Sequence, residues 1–80
     1  MSKSELVNLI ENGRDINFII SGRRYGIFTW TEKGICIGED YCEEKDLQYY
    51  ATAQALVENF KVNGVPLGDL AAGICITDYS

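Results

Sequence analysis

The fold is decided by residues 15–38, which read DINFIISGRRYGIFTWTEKGICIG. Three runs rich in β-branched and aromatic residues are separated there by two turns that contain glycine, a pattern typical of antiparallel strands. Gly22-Arg23 suits a two-residue hairpin turn of type II′, and Glu32-Lys33-Gly34 suits a three-residue loop with Gly in the left-handed conformation. We therefore predict a three-stranded antiparallel meander.

The two turns also predict which side chains share a face of this meander. The first turn pairs Ile20 with Tyr25, and the second pairs Trp30 with Cys36. Side chains alternate between faces, so a slip of one residue would scramble the pattern, yet both turns give the same division. The predicted core face comprises Ile16, Phe18, Ile20, Tyr25, Ile27, Thr29, Ile35 and Ile37. The opposite face comprises Asp15, Asn17, Ile19, Arg24, Gly26, Phe28, Trp30, Cys36 and Gly38.

This opposite face is more apolar than a solvated sheet face, which normally carries polar side chains. Ile19, Phe28 and Trp30 lie on it beside small glycines. Two interpretations stay open. Either the 39–46 loop or the C-terminus covers the three apolar side chains, or they form an exposed patch for a partner or a second copy of the chain.

The segment before the meander predicts a short helix. Ser2 and Glu5 have the spacing of a capping box, and apolar residues follow at helical spacing. Asn12-Gly13 is a stop signal, with Gly13 expected in the left-handed conformation after the last turn.

The segment after the meander predicts a longer helix and a last strand. The helix is expected over residues 47–60, with Asp46 at its start and Tyr49, Ala53, Leu56 and Phe60 on one face. Asn63-Gly64 predicts a turn, and residues 74–77 alternate as a final short strand. The expected fold class is therefore α+β in a single domain, 1–80: short helix, three-stranded meander, second helix packed on the sheet, short C-terminal strand.

The charge of the chain is unevenly distributed. The 80 residues carry a net charge of −5, but residues 1–38 hold four acids and five bases, whereas residues 39–80 hold eight acids and two bases. Direct binding of nucleic acid requires a basic footprint, which this chain lacks. An acidic half is suited instead to a basic surface on another protein, including one that normally holds nucleic acid.

The sequence offers no catalytic, metal or cofactor motif. It contains no histidine, and the spacing of its three cysteines, Cys36, Cys42 and Cys75, matches no zinc site. The acids after Gly38 lack the regular spacing of a calcium loop. We expect a protein that is not an enzyme and that needs no cofactor. The N-terminus lacks the apolar core of a signal peptide and no run is long enough to span a membrane, so we expect a cytoplasmic protein.

Three groups of residues are candidates for binding a partner. The acidic group contains Glu39, Asp40, Glu43, Glu44 and Asp46. The apolar group contains Ile19, Phe28 and Trp30, because aromatic residues tend to dominate the binding energy of interfaces. Arg23 and Arg24 form an adjacent basic pair that is either ordinary turn solvation or a contact to an anion or an acidic partner.

Residues 4–18, followed by Gly22-Arg23-Arg24-Tyr25, resemble the opening of many small acidic proteins encoded by phages and prophages of Gram-positive bacteria. Residues 60–67 are a looser match to the same style of sequence. Some small acidic phage proteins inhibit bacterial defence, including anti-CRISPR proteins that occupy the nucleic-acid groove of an RNA-guided nuclease. These inhibitors share no common motif, so the resemblance implies no particular set of site residues.

These observations favour a non-enzymatic acidic binding protein that occupies a basic or nucleic-acid-binding surface of a host defence complex, such as an RNA-guided nuclease. Two alternatives stay open. One is a small homo-oligomer that sequesters a nucleotide-like signal, with Trp30 or Tyr25 stacking on the base and Arg23 and Arg24 on phosphate. The other is a structural subunit whose sheet face assembles with itself.

Overall fold

A five-stranded antiparallel sheet forms the centre of the computed structural model, which describes residues 1–40 and 42–80. The elements in chain order are α1 Lys3–Asn12, β1 Asp15–Ile20, β2 Arg23–Thr31, β3 Gly34–Glu39, the 3₁₀ turn η1 Glu44–Asp46, β4 Gln48–Tyr50, α2 Ala53–Asn59, β5 Lys61–Val62, β6 Val65–Pro66, the 3₁₀ segment η2 Leu67–Gly73 and β7 Cys75–Tyr79. The strand order in the five-stranded sheet is β4-β3-β2-β1-β7, and a separate two-stranded hairpin pairs β5 with β6. The predicted α+β class is confirmed, with β4 as an additional edge strand.

The meander forms as predicted, but both of its registers differ from the expected ones by two residues. Ile20 pairs with Arg23, because Ser21 and Gly22 are the central turn residues, with φ of 52° and 77°. Positive φ at both positions is the signature of a type I′ turn, and the predicted type II′ turn is wrong. Cys36 pairs with Phe28, and a bulge follows in β2 before the second turn. A shift of two residues moves no side chain to the other face, so the division of faces still holds.

The core lies between the predicted core face and the helices. Six of the eight residues of the predicted core face are buried, and Thr29 and Ile35 are partly buried. The six buried residues form one cluster with buried residues of α1, α2 and η2, namely Leu6, Ile10, Ala53, Leu56, Val57, Leu67 and Ala71. Both α-helices and η2 therefore pack on the same side of the sheet.

The N-terminal helix begins as predicted and ends differently. The Ser2 hydroxyl accepts a hydrogen bond from the Glu5 backbone, and the Glu5 carboxylate accepts one from the Ser2 backbone, which completes the capping box. Gly13 has φ −102° and ψ 167°, so its predicted left-handed conformation is wrong. The chain passes there directly into β1, which requires an extended backbone.

The second helix is shorter than predicted, and Asp46 does not begin it. Residues 48–50 form strand β4, which pairs with β3, and α2 starts only at Ala53. The Thr52 side chain caps this start by accepting a hydrogen bond from the Ala55 backbone, 3.0 Å away. Pairing with the free edge of β3 outweighs the helical pattern, because it satisfies backbone groups that a helix would leave exposed on that edge.

The C-terminal part of the chain follows its prediction closely. The turn at Asn63-Gly64 joins β5 to β6. The last strand, β7, pairs with β1 and so lies at the edge of the sheet opposite β4. Within the described residues, no helix is both long and apolar enough to cross a membrane.

Candidate functional site

The side of the sheet opposite the helices is the candidate site, and we call it the open face. Directly paired residues of neighbouring strands share a face, so Tyr49 lies beside Cys36, and Cys75 lies beside Ile19. The open face comprises Asp15, Asn17, Ile19, Arg24, Phe28, Trp30, Cys36, Tyr49, Cys75 and Asp78, together with Gly26 and Gly38.

The segment 42–47 covers one part of the open face. A Cβ atom at Gly38 would collide with the Leu47 side chain and would lie 3.0 Å from the Cys42 sulfur. Cys36 is consequently buried. The expectation that the 39–46 loop covers this face therefore holds for β3. The C-terminus does not cover it, because β7 widens the sheet instead.

Trp30 remains exposed outside this cover, with 59% of its surface accessible to solvent. Its indole N–H donates a hydrogen bond to an Asp15 carboxylate oxygen over 2.6 Å. Its ring meets the Phe28 ring edge-on, with 6.3 Å between the ring centres and 67° between their planes. Trp30 is therefore held in orientation at one edge while most of its surface faces water.

A shallow cleft lies next to Trp30, and we call it the Trp30 cleft. It is lined by Trp30, Thr31, Glu32, Lys33, Glu44 and Tyr49. The Lys33 ammonium lies over the Tyr49 ring, 5.3 Å from its centre. Partial burial, followed by the neighbouring Cys36 thiol and the Glu44 carboxylate, raises the pKa of Tyr49 above its ordinary value. Tyr49 is therefore a neutral aromatic surface at physiological pH.

The five predicted acidic residues are all exposed, but they do not form one cluster. Glu44 lines the Trp30 cleft, whereas Glu39, Asp40 and Asp46 line a second cleft that also contains Arg23 and Lys61. Glu39 pairs with Arg23 at 3.8 Å, and Glu43 pairs with Lys45 at 3.3 Å. The acidic stretch 39–46 also includes Tyr41, which lies outside the described residues.

The two arginines lie far from Trp30. Arg24 and Trp30 are six residues apart on β2, which corresponds to about 20 Å along a strand. Tyr25 is buried and stacks on Phe18, with 5.5 Å between the ring centres. A single subunit therefore cannot hold one mononucleotide between Trp30 and the arginines, and Tyr25 is not accessible to a base.

The buried Cys36 thiol is poorly suited to act as a nucleophile. Burial raises the pKa of the Cys36 thiol above its ordinary value, and a hydrogen bond with the Tyr49 side chain lowers it by a smaller amount. A thiol of raised pKa is protonated at neutral pH and reacts poorly, because the thiolate is the nucleophile. In residues 1–40 and 42–80 there is no group of three or more Cys, Asp or Glu side chains placed to hold a metal ion.

The sequence places Phe28 and Trp30 on the open face but does not reveal the roles of four residues around them. It predicts Asp15 on this face without a role, and Glu32 and Lys33 as turn residues only. It predicts Tyr49 in a helix. The one available signal was the run Gln48-Tyr49-Tyr50 ahead of Thr52, because tyrosine favours strands and threonine favours helix starts.

Comparison of the chain with protein-family models, with curated proteins and with solved structures finds no significant match in any of the three sets.

Proposed function

We propose that the chain is a non-enzymatic binding protein whose open face docks on a basic surface of another protein. The observation that carries this proposal is the exposure of Trp30 on the side of the sheet away from the helices. Tryptophan is among the residues that most often dominate binding energy, and a ring already held in orientation loses little conformational entropy on docking.

The charge of the chain supports a basic partner. The net charge is −5, and Asp15, Glu44 and Asp78 lie on or beside the open face. Carboxylates at the rim of an interface accelerate association with a basic surface and disfavour acidic partners. We propose that this partner is a bacterial defence complex in the cytoplasm, such as an RNA-guided nuclease, whose nucleic-acid groove is basic. The resemblance to small acidic phage proteins supports the same choice.

The test uses purified RNA-guided nucleases from Gram-positive bacteria, each mixed with the protein before or after loading with guide RNA. We expect inhibition of DNA cleavage by at least one nuclease, and stronger inhibition before loading, because protein and RNA would compete for one basic surface. Trp30→Ala should weaken binding about tenfold or more, as hot-spot residues do. Val65→Ala, which truncates an exposed apolar residue on the β5–β6 hairpin, is the matched control.

Charge reversal tests the electrostatic part of the proposal. The double variant Glu43→Lys, Glu44→Lys should bind more weakly, and its affinity should depend less on salt concentration. Equal binding by the wild type, the Trp30→Ala variant and the charge-reversed variant would overturn the proposal.

Self-assembly is a second candidate, because β7 is a free edge strand. Its five residues, Cys75–Tyr79, contain neither proline nor lysine, which commonly protect such edges from pairing. A second copy could also bury the open face. The oligomeric state distinguishes this candidate from the first.

A further inference from the structure

The Trp30 cleft combines aromatic surface with negative charge. Trp30 and Tyr49 supply two aromatic rings, and Glu32 and Glu44 supply two carboxylates. The negatively charged face of an aromatic ring attracts cations, and tryptophan is the strongest of the aromatic side chains in this respect. The lining is therefore suited to a cationic group.

The chain itself provides a cation at this place. The Lys33 ammonium lies 5.3 Å from the centre of the Tyr49 ring, within the distance of a cation–π contact. Lys33 follows Glu32 in the exposed turn between β2 and β3, so its side chain can move away without any change in the sheet. This internal contact indicates which chemistry the cleft accepts, and a stronger cation from outside could replace it.

We propose that the Trp30 cleft receives an arginine side chain of the partner, which displaces Lys33 from Tyr49. This inference rests on the proposed function and names the chemical group that the open face recognises. The guanidinium plane stacks on an aromatic face while its N–H groups donate to a carboxylate such as Glu44. Lysine has a compact and more strongly hydrated ammonium group, so it gains less from the same cleft.

The inference is tested with a nona-arginine peptide and a nona-lysine peptide at equal ionic strength. Trp30 is the sole tryptophan of the chain, so intrinsic fluorescence reports directly on the cleft. We expect nona-arginine to change this fluorescence and to bind about two- to fivefold more tightly than nona-lysine, a difference of the size of an exposed cation–π contact.

Paired variants separate the cleft from general electrostatic attraction. Glu44→Gln should weaken nona-arginine binding about threefold or more, whereas Glu43→Gln, the same charge change one residue away, should have a smaller effect.

Lys33→Ala should strengthen binding because the competing cation is gone, and it should do so more than Lys45→Ala. Tyr49→Phe keeps the aromatic ring and should bind normally, whereas Tyr49→Leu should not. The urea midpoint of each variant shows whether it is folded.

The outcomes distinguish this inference from the proposed function. Equal affinity for both peptides, with Glu44→Gln and Glu43→Gln indistinguishable, would overturn the arginine inference. The proposed function would still stand if Trp30→Ala weakened binding to a nuclease. Selective binding of nona-arginine with no effect of Trp30→Ala on any nuclease would support the cleft and overturn the proposed partner.

Discussion

Position 13 requires glycine because it has no room for a side chain. A Cβ atom at this position would lie 2.8 Å from the Tyr79 ring and 3.1 Å from the Leu9 carbonyl oxygen. The Tyr79 hydroxyl donates a hydrogen bond to that same carbonyl over 3.0 Å, so the ring cannot move away without losing this bond. Position 13 thus allows the last strand to lie against the first helix.

Gly13→Ala should therefore destabilise the fold. Overpacking of a tight site typically costs about 1–3 kcal/mol of unfolding free energy. Gly73→Ala is the matched control, because no atom lies within 4 Å of the new Cβ and φ there is not in the left-handed range. Urea unfolding should show a lowered midpoint for Gly13→Ala and an unchanged or slightly raised one for Gly73→Ala. Equal midpoints would show that Tyr79 does not pack on this site.

Glu5 should contribute to the pH dependence of stability. The hydrogen bonds from the Ser2 backbone and then the Ser2 side chain lower the pKa of Glu5 in the folded state. A lowered folded pKa means that the contribution is present above the unfolded pKa and is lost as pH falls through the folded value. NMR titration should show the low pKa of Glu5. Ser2→Ala removes the side-chain hydrogen bond but keeps the backbone one, so it should return the pKa part of the way to its ordinary value. An unchanged Glu5 pKa in that variant would contradict the contribution of the Ser2 side chain.

At the scale of elements, the start of α2 distinguishes the helix that forms from the longer one that was predicted. Thr52 caps the helix through the Ala55 backbone, whereas Asp46 is an exposed residue at the end of η1. Thr52→Ala should cost about 1 kcal/mol of unfolding free energy, the usual effect of losing an N-cap. Asp46→Ala should cost less than about 0.5 kcal/mol, as exposed surface changes do. The reverse order in thermal or urea unfolding would favour a helix that starts near residue 47.

The strand faces could be predicted from the sequence, but the registers could not. Ile16, Phe18 and Ile27 had to share a face because alternation has a period of two, and any even shift preserves that. The turn that selects the register was ambiguous, since both Ser21-Gly22 and Gly22-Arg23 can form two-residue hairpins. The type I′ turn matches the twist of the strands, so it prevails even though Ser21 adopts φ of 52°.

The candidate site was predictable only in part, because some of its contacts depend on the pairing of strands that are distant in the sequence. Phe28 and Trp30 follow from alternation along one strand, which is local information. Tyr49 depends on the pairing of β4 with β3, which joins residues 13 positions apart and competes with a helical pattern. The hydrogen bond from Trp30 to Asp15 likewise joins two strands and has no local sequence signal.

At the scale of the whole molecule, the helices cover only one side of the sheet. A chain of 80 residues buries a smaller fraction of its surface than a larger domain does, so it has little material for a second layer. The open face is covered at β3 by the 42–47 segment and remains exposed at Trp30. This one-sided arrangement leaves apolar surface at Trp30 that a partner or a second copy would bury.

Native mass spectrometry of the freshly purified protein shows whether a second copy of the chain covers the open face or whether the face is left for a different protein. We expect a mass equal to a single chain, because the proposed function reserves the open face for a different protein. The structural-subunit alternative predicts an oligomer that Trp30→Ala converts to monomers. Trp30→Ala should lower stability by no more than about 1 kcal/mol, since it removes one hydrogen bond and a mostly exposed ring.

A variant on the other candidate interface sharpens this measurement. Thr77→Lys places a charge on the exposed edge strand β7 and should disrupt an assembly formed through strand pairing, as lysine does on natural edge strands. An oligomer lost with Thr77→Lys and kept with Trp30→Ala would locate the contact at the β7 edge and leave the open face available. An oligomer lost with Trp30→Ala alone would contradict the proposed function, because the surface meant for a host protein would already be occupied. A wild-type protein that is monomeric, and that stays monomeric in both variants, agrees with the proposed function, because the open face is then free to meet a basic partner.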